Sequence, residues 1–130
     1  MPFTSVTKGA SFSAAVRFVE AEAPDGTLRR GLVAYSLGNF ISNMTVRYTD
    51  SGMILDFTLR ECQDGGITVE NVRCVPIYCW KGDDMIRAVS SLKYDEERPE
   101  GMSSGIFSRM KESCRELQEL LGPEIEMIAE

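Results

Sequence analysis

The sequence predicts an α+β domain: an antiparallel β-meander of about four strands followed by two helices. Three observations carry that expectation. Strand-like apolar runs between residues 15 and 80 are punctuated by two turn clusters, Pro24-Asp25-Gly26 and Gln63-Asp64-Gly65-Gly66. Phe107, Met110, Cys114, Leu117 and Leu121 step by three and four, which places them on one helix face. The chain has 130 residues, 43% hydrophobic and 26% charged, which suits one globular domain spanning residues 1–130. A domain of that size buries roughly two thirds of the surface its unfolded chain exposes.

In chain order, residues 1–13 are a Ser-, Thr- and Gly-rich lead-in, and residues 15–22 alternate as a strand does. Residues 28–37 form the second strand. Their nearly continuous apolar end, residues 32–37, fits a central strand covered on both faces. Such a strand needs neighbours or a second layer, so the chain reads like part of a larger sheet sandwich. Residues 38–51 connect without clean periodicity. Met53, Leu55, Phe57 and Leu59 then alternate with Ile54, Asp56, Thr58 and Arg60 as a half-buried strand.

After the hairpin turn, the apolar phase of residues 67–80 shifts from Ile67 and Val69 to Val72, Cys74 and Pro76. That shift predicts a bulge near Glu70-Asn71. Pro76 cannot donate to a ladder, so this end of the strand is expected at a sheet edge. Asp83 is placed to cap a short helix carrying Met85, Ile86, Val89 and Leu92. A charged loop, residues 93–105, is expected to be mobile. The final helix takes Ser103 or Ser104 as its cap and Gly122-Pro123 as its stop.

Composition excludes several function classes. A net charge of −6 argues against phosphate-backbone binding, which depends on clustered Lys and Arg, so no nucleic-acid partner is expected. The chain has no His, so a Ser-His-Asp triad, a Cys-His pair and a His-containing zinc site are all excluded. No run approaches the ~20 apolar residues of a membrane-spanning helix. Residues 1–8 lack the pattern of a signal peptide. Cys62, Cys74, Cys79 and Cys114 include no C-x-x-C spacing and read as buried, reduced thiols. Cys74 and Cys79, five apart, are expected on opposite faces of their strand.

The run Gly31-Leu32-Val33-Ala34-Tyr35-Ser36-Leu37-Gly38-Asn39-Phe40-Ile41 resembles a signature of the bacterial poly-gamma-glutamate capsule-synthesis protein family. Arg47 to Leu55 continues the match, and Val72-Arg73-Cys74-Val75-Pro76-Ile77-Tyr78 resembles a later V-x-x-x-P-x-Y/W stretch of that family. The resemblance covers residues 18–78, about half the chain. It implies a metallophosphoesterase-like, calcineurin-like α/β/β/α sandwich, of which this chain is the C-terminal half. Family members carry their Asp, Asn and His metal ligands upstream of the signature. Where a His-Pro-His-like motif is expected, residues 8–14 read KGASFSA. The resemblance therefore implies divalent metals in a full-length parent, no cofactor in this chain, and the upstream half as partner.

Candidate substrate-binding residues are Ser36, Gly38, Asn39 and Arg47. The Gly38-Asn39 turn follows a strand end, where freed backbone N–H groups bind anions and Asn39 can orient a substrate or a metal ligand. Equally, Asn39 can bond its own loop while Phe40 and Ile41 join the core. Arg47, with Tyr48 and Asp50, offers a fork for the carboxylates of a gamma-glutamyl polymer, or is a solvated loop. Arg29-Arg30 reads as surface, and Asp95-Glu96-Glu97 as an exposed acidic loop rather than a cation site. The expected function is a structural half-domain that is not catalytic alone. The alternative is a stand-alone binding or self-assembly module, including a homodimer. No paired acid and base marks an independent enzyme. The compartment is not assigned, because thiols and the family's export habits point in opposite directions.

Overall fold

The computed structural model describes residues 16–44, 46, 49–121 and 124–130. Each turn cluster closes a hairpin. β1 (Val16–Glu22) and β2 (Leu28–Ala34) pair antiparallel from Val16↔Ala34 to Glu22↔Leu28. At the turn between them, Asp25 accepts from the Thr27 N–H at 3.0 Å. β3 (Ser51–Glu61) and β4 (Ile67–Lys81) form the longer hairpin, closed by Cys62 N–H to Gly66 O at 2.7 Å. The expected bulge is present. Asp56 pairs with Arg73 but Thr58 with Glu70, and Asn71 takes φ +52° to accommodate the extra residue.

The two hairpins do not merge into one meander. They form separate sheets, joined among the described residues by the single bridge Gly38↔Gly52. Among the described residues β2 pairs with β1 alone, so it is not the central, doubly covered strand its apolar end predicts. The strand stops at Ala34, and Tyr35 and Leu37 are 54% and 42% exposed. The chain then crosses the start of β3 so closely that neither glycine has room for a side chain. A Cβ on Gly38, whose φ is +72°, would lie 2.6 Å from Ser51 O, and one on Gly52 2.5 Å from Asn39 O.

The expected first helix is a strand, so the described residues contain one helix rather than two. Gly82 N–H donates to Met85 O at 2.9 Å, and β5 (Ile86–Ser90) returns along β4 from Lys81↔Ile86 to Ile77↔Ser90. So short an apolar run suits either structure, and the unpaired ladder groups of β4 decide the outcome. β4 is consequently central, not an edge. Pro76 lies between Cys74, paired with Met127 of β6 (Glu126–Met127), and Ile77, paired with β5. Its carbonyl accepts from Ser91 N–H at 3.0 Å on that same side. The missing N–H of Pro76 thus falls in the gap between β6 and β5, which is why a proline is tolerated in a central strand.

α1 (Ser104–Leu120) follows the predicted stripe. Ser103 is the N-cap and accepts from Ile106 N–H, while Met110, Ser113, Cys114 and Leu117 are buried. Phe107 and Leu121 are half-buried, and the expected stop, Gly122-Pro123, lies outside the described residues. The loop expected to be mobile is anchored: Met102 is 3% exposed and packs with Tyr78, Trp80 and Met110. A second cluster joins Val16, Met53, Val72, Cys74, Leu117 and Ile125, flanked by Phe18 and Leu32. The short hairpin and the end of α1 therefore share one layer over the main sheet.

All four cysteines are free thiols, with Cys74, Cys79 and Cys114 buried and Cys62 half-buried. Cys74 faces the core, while Cys79 donates from the opposite face to Phe40 O at 3.1 Å. Among the described residues, no helix is long and apolar enough to cross a membrane.

Candidate functional site

The loop after β2 folds back on itself. Ser36 Oγ accepts from Gly38 N–H at 3.2 Å, and Asn39 N–H donates to Ser51 O at 3.0 Å. The N–H groups expected to receive an anion are therefore already used within the turn. Asn39 Nδ2 donates to Thr49 O at 2.7 Å, so this side chain bonds its own loop rather than projecting toward a ligand. Phe40 and Ile41, however, do not enter the core and are 55% and 60% exposed. Of the candidate residues, Ser36, Gly38 and Asn39 are thus brought together as one self-satisfied turn. Arg47, and Tyr48 beside it, lie outside the described residues.

Asp50, the third member of the Arg47 group, has a different partner. Arg109 on α1 grips its carboxylate with two parallel bonds, Nε to Oδ2 at 2.9 Å and Nη2 to Oδ1 at 3.0 Å. Such a fork-to-fork pair is among the stronger polar contacts available to side chains. Arg109 Nη1 also reaches Glu112 and Glu116, each at 3.2 Å. The Tyr78 hydroxyl lies close enough to the Asp50 carboxylate to feel its charge, and Asp50 O accepts from Cys79 N–H at 2.8 Å. Through its backbone carbonyl and its carboxylate, Asp50 thereby ties the loop before β3 to the end of β4 and to the first half of α1.

Around this junction opens a groove of about 490 Å³, lined by Met44, Asp50, Tyr78, Lys81, Ile106 and Arg109 among others. Lys81 Nζ donates to Met44 O across one rim. Burial, and then the neighbouring Asp50 charge, pushes the Tyr78 hydroxyl up to about 12. Burial also raises the Cys79 thiol. Burial opposes the charge on Arg109, but its bonds to Asp50 and Glu116 outweigh that effect and raise its value. Tyr78, Cys79 and Arg109 therefore all keep their protons near neutrality. The groove offers fixed charge and an apolar floor for binding.

The sequence reading missed Arg109. The signal was present as the spacing of Arg109, Glu112 and Glu116, which puts three charges on one helical flank beside the apolar stripe. Arg29 and Arg30 are exposed as expected, but Arg30 also pairs with Glu124 at 2.8 Å. Among the described residues, no three Cys, Asp or Glu side chains are gathered to hold a metal ion, Asp95, Glu96 and Glu97 included. Comparison of the chain with protein-family models, curated proteins and solved structures finds no significant match.

Proposed function

We propose that this chain is the C-terminal structural half of a capsule or poly-gamma-glutamate synthesis protein. In this reading it completes the sheet and one cleft wall of a metallophosphoesterase-like, calcineurin-like sandwich. The metal ligands and the catalysis belong to an upstream half. The observation that supports the reading most directly is the exposure of the signature loop. Tyr35, Phe40, Ile41, Met44 and Val46 are 54%, 55%, 60%, 52% and 65% exposed and lie close together in sequence. Large exposed apolar groups clustered in this way mark contact surfaces. The Asp50–Arg109 groove lies beside them and supplies shape and fixed charge, as a cleft wall does.

The test is co-expression with the upstream half of a protein of that family. The expected result is a co-purifying complex with metal-dependent hydrolysis of a chromogenic phosphodiester that neither half shows alone. Phe40→Asp with Ile41→Asp should abolish the complex while leaving the fold of this chain intact by circular dichroism. Absence of both complex and metal-dependent hydrolysis would sink the reading.

A further inference from the structure

β3 has β4 on one side and, among the described residues, only Leu37–Asn39 on the other. Two hydrogen bonds fix which of its residues face the open side. Met53 N–H points outward, to Leu37 O at 2.8 Å, whereas Cys62 N–H points inward, to Gly66 O at 2.7 Å. Backbone groups alternate along a strand, so Leu55, Phe57, Leu59 and Glu61 present N–H and C=O to the open edge. Phe57 and Leu59 are also 43% and 59% exposed. An edge of this length with unpaired backbone is a template for another strand.

We propose that a second copy of this chain adds its own β3 along this edge, antiparallel and centred on Thr58. A two-fold axis pairs each residue with its counterpart across the centre. With Thr58 opposite Thr58 of the second copy, Phe57 meets Leu59 and Asp56 meets Arg60. Edge-facing residues then oppose edge-facing residues, as the ladder requires. Neighbouring registers do worse. Centring on Asp56 or on Arg60 sets like charges opposite each other. Centring on Phe57 or on Leu59 leaves both charges opposite uncharged side chains.

Each charge already has an opposite partner across the β3–β4 hairpin, Arg73 for Asp56 and Glu70 for Arg60. The proposed register joins these pairs into one ladder, Arg73–Asp56–Arg60–Glu70, whose sign alternates across the joint. The two-fold axis repeats the ladder. Opposite charges and apolar pairs facing each other across strands are the contacts that stabilise such pairing. The surface differs from the signature loop and does not depend on an upstream half. One strand pair buries less than the ~1,200 Å² of stable interfaces, so the dimer is reversible and weakens with salt.

Sedimentation velocity of the full chain over a range of micromolar concentrations tests this. The expected result is a monomer–dimer equilibrium. Arg60→Asp sets two like-charge pairs across the axis and should raise the dissociation constant about ten-fold. Leu59→Pro removes an outward N–H that β4 does not use and should leave a folded monomer. Register is read by mild oxidation in a Cys62→Ser background. Thr58→Cys should cross-link, because a non-hydrogen-bonded pair holds Cα atoms ~4.5 Å apart, within disulfide reach. Asp56→Cys should not, since its two thiols lie about four residues apart along the strands. A monomer at every concentration overturns the proposal, as does a dimer that folded Leu59→Pro leaves unchanged or equal cross-linking by both cysteine variants. If Leu59→Pro loses its circular dichroism signal, the cross-linking comparison decides.

Discussion

Asp50 and Arg109 show how one ion pair can serve as a structural rivet. Their side chains are 14% and 21% exposed, so removing either partner strands a mostly desolvated charge. Arg109→Met is expected to cost about 2–3 kcal/mol, somewhat below the fully buried case, as read by urea unfolding. Arg109→Lys should cost less but still measurably, because an ammonium cannot form the two parallel bonds. Asp50→Asn combined with Arg109→Met should recover part of the loss. That cycle separates attraction within the pair from the penalty of an orphaned charge. Gly38 gives a steric counterpart: with its φ of +72° and no room beside Ser51 O, Gly38→Ala is expected to cost more than about 2 kcal/mol. At this scale the sequence was half readable. Asn39 stands out in the sequence and does make a specific bond, but to Thr49 O, because a polar side chain beside unsatisfied carbonyls takes the nearest one. Arg109 was hidden because its partner lies far away in the chain.

Among the elements, those with local punctuation were legible and those that depend on a distant partner were not. Both hairpin turns, the phase shift at Asn71 and the Ser103 cap are short-range features, and all stand in the structure. The sequence hides β5 because Met85, Ile86, Val89 and Leu92 fit a helical face equally well over so few residues. The open side of β4, set by residues far back in the chain, selects the strand. The bulge offers a direct test. Asn71 holds φ +52°, a conformation costly for branched side chains, so Asn71→Val should destabilise by about 1–2 kcal/mol. Asn71→Gly should be neutral or slightly stabilising in the same thermal melt. Ser103→Ala should cost about 1 kcal/mol by loss of the cap bond to Ile106.

For the whole molecule, the buried neutral groups set the alkaline limit. Burial, with Cys114 adding to it, raises the Cys74 thiol from 9.0 to about 11, and Tyr78 moves from 10.0 to about 12. Both ionise more readily in the unfolded chain. The stability they contribute is therefore complete below pH 9.0 and is lost as pH rises toward 12. The melting temperature should stay flat from neutrality to pH 9.0 and then fall. Tyr78→Phe should remove the later part of that fall, and Cys74→Ala the earlier part, at the cost of a lower melting temperature throughout. The broad class, α+β with a sheet covered on one side by helix, was visible in the sequence. The division into two sheets was not, because an apolar run such as residues 32–37 reports that a strand wants cover without saying where the cover comes from.

That division has a consequence for how the molecule opens. Among the described residues, the hairpin of β1 and β2 is held to the rest of the fold by the packing of Val16, Phe18 and Leu32, by the exposed Arg30–Glu124 pair, and by the Gly38↔Gly52 bridge that follows it in the chain. Lifting it breaks no part of the β3–β4–β5 ladder. The hairpin is thus a separate cooperative unit whose opening costs less than global unfolding. In native-state hydrogen exchange, the cross-strand amides of β1 and β2 should exchange together, through an opening whose urea dependence is clearly smaller than that of global unfolding. The amides of β4 should exchange only with loss of the entire fold, and Phe18→Ala should widen the interval between the two.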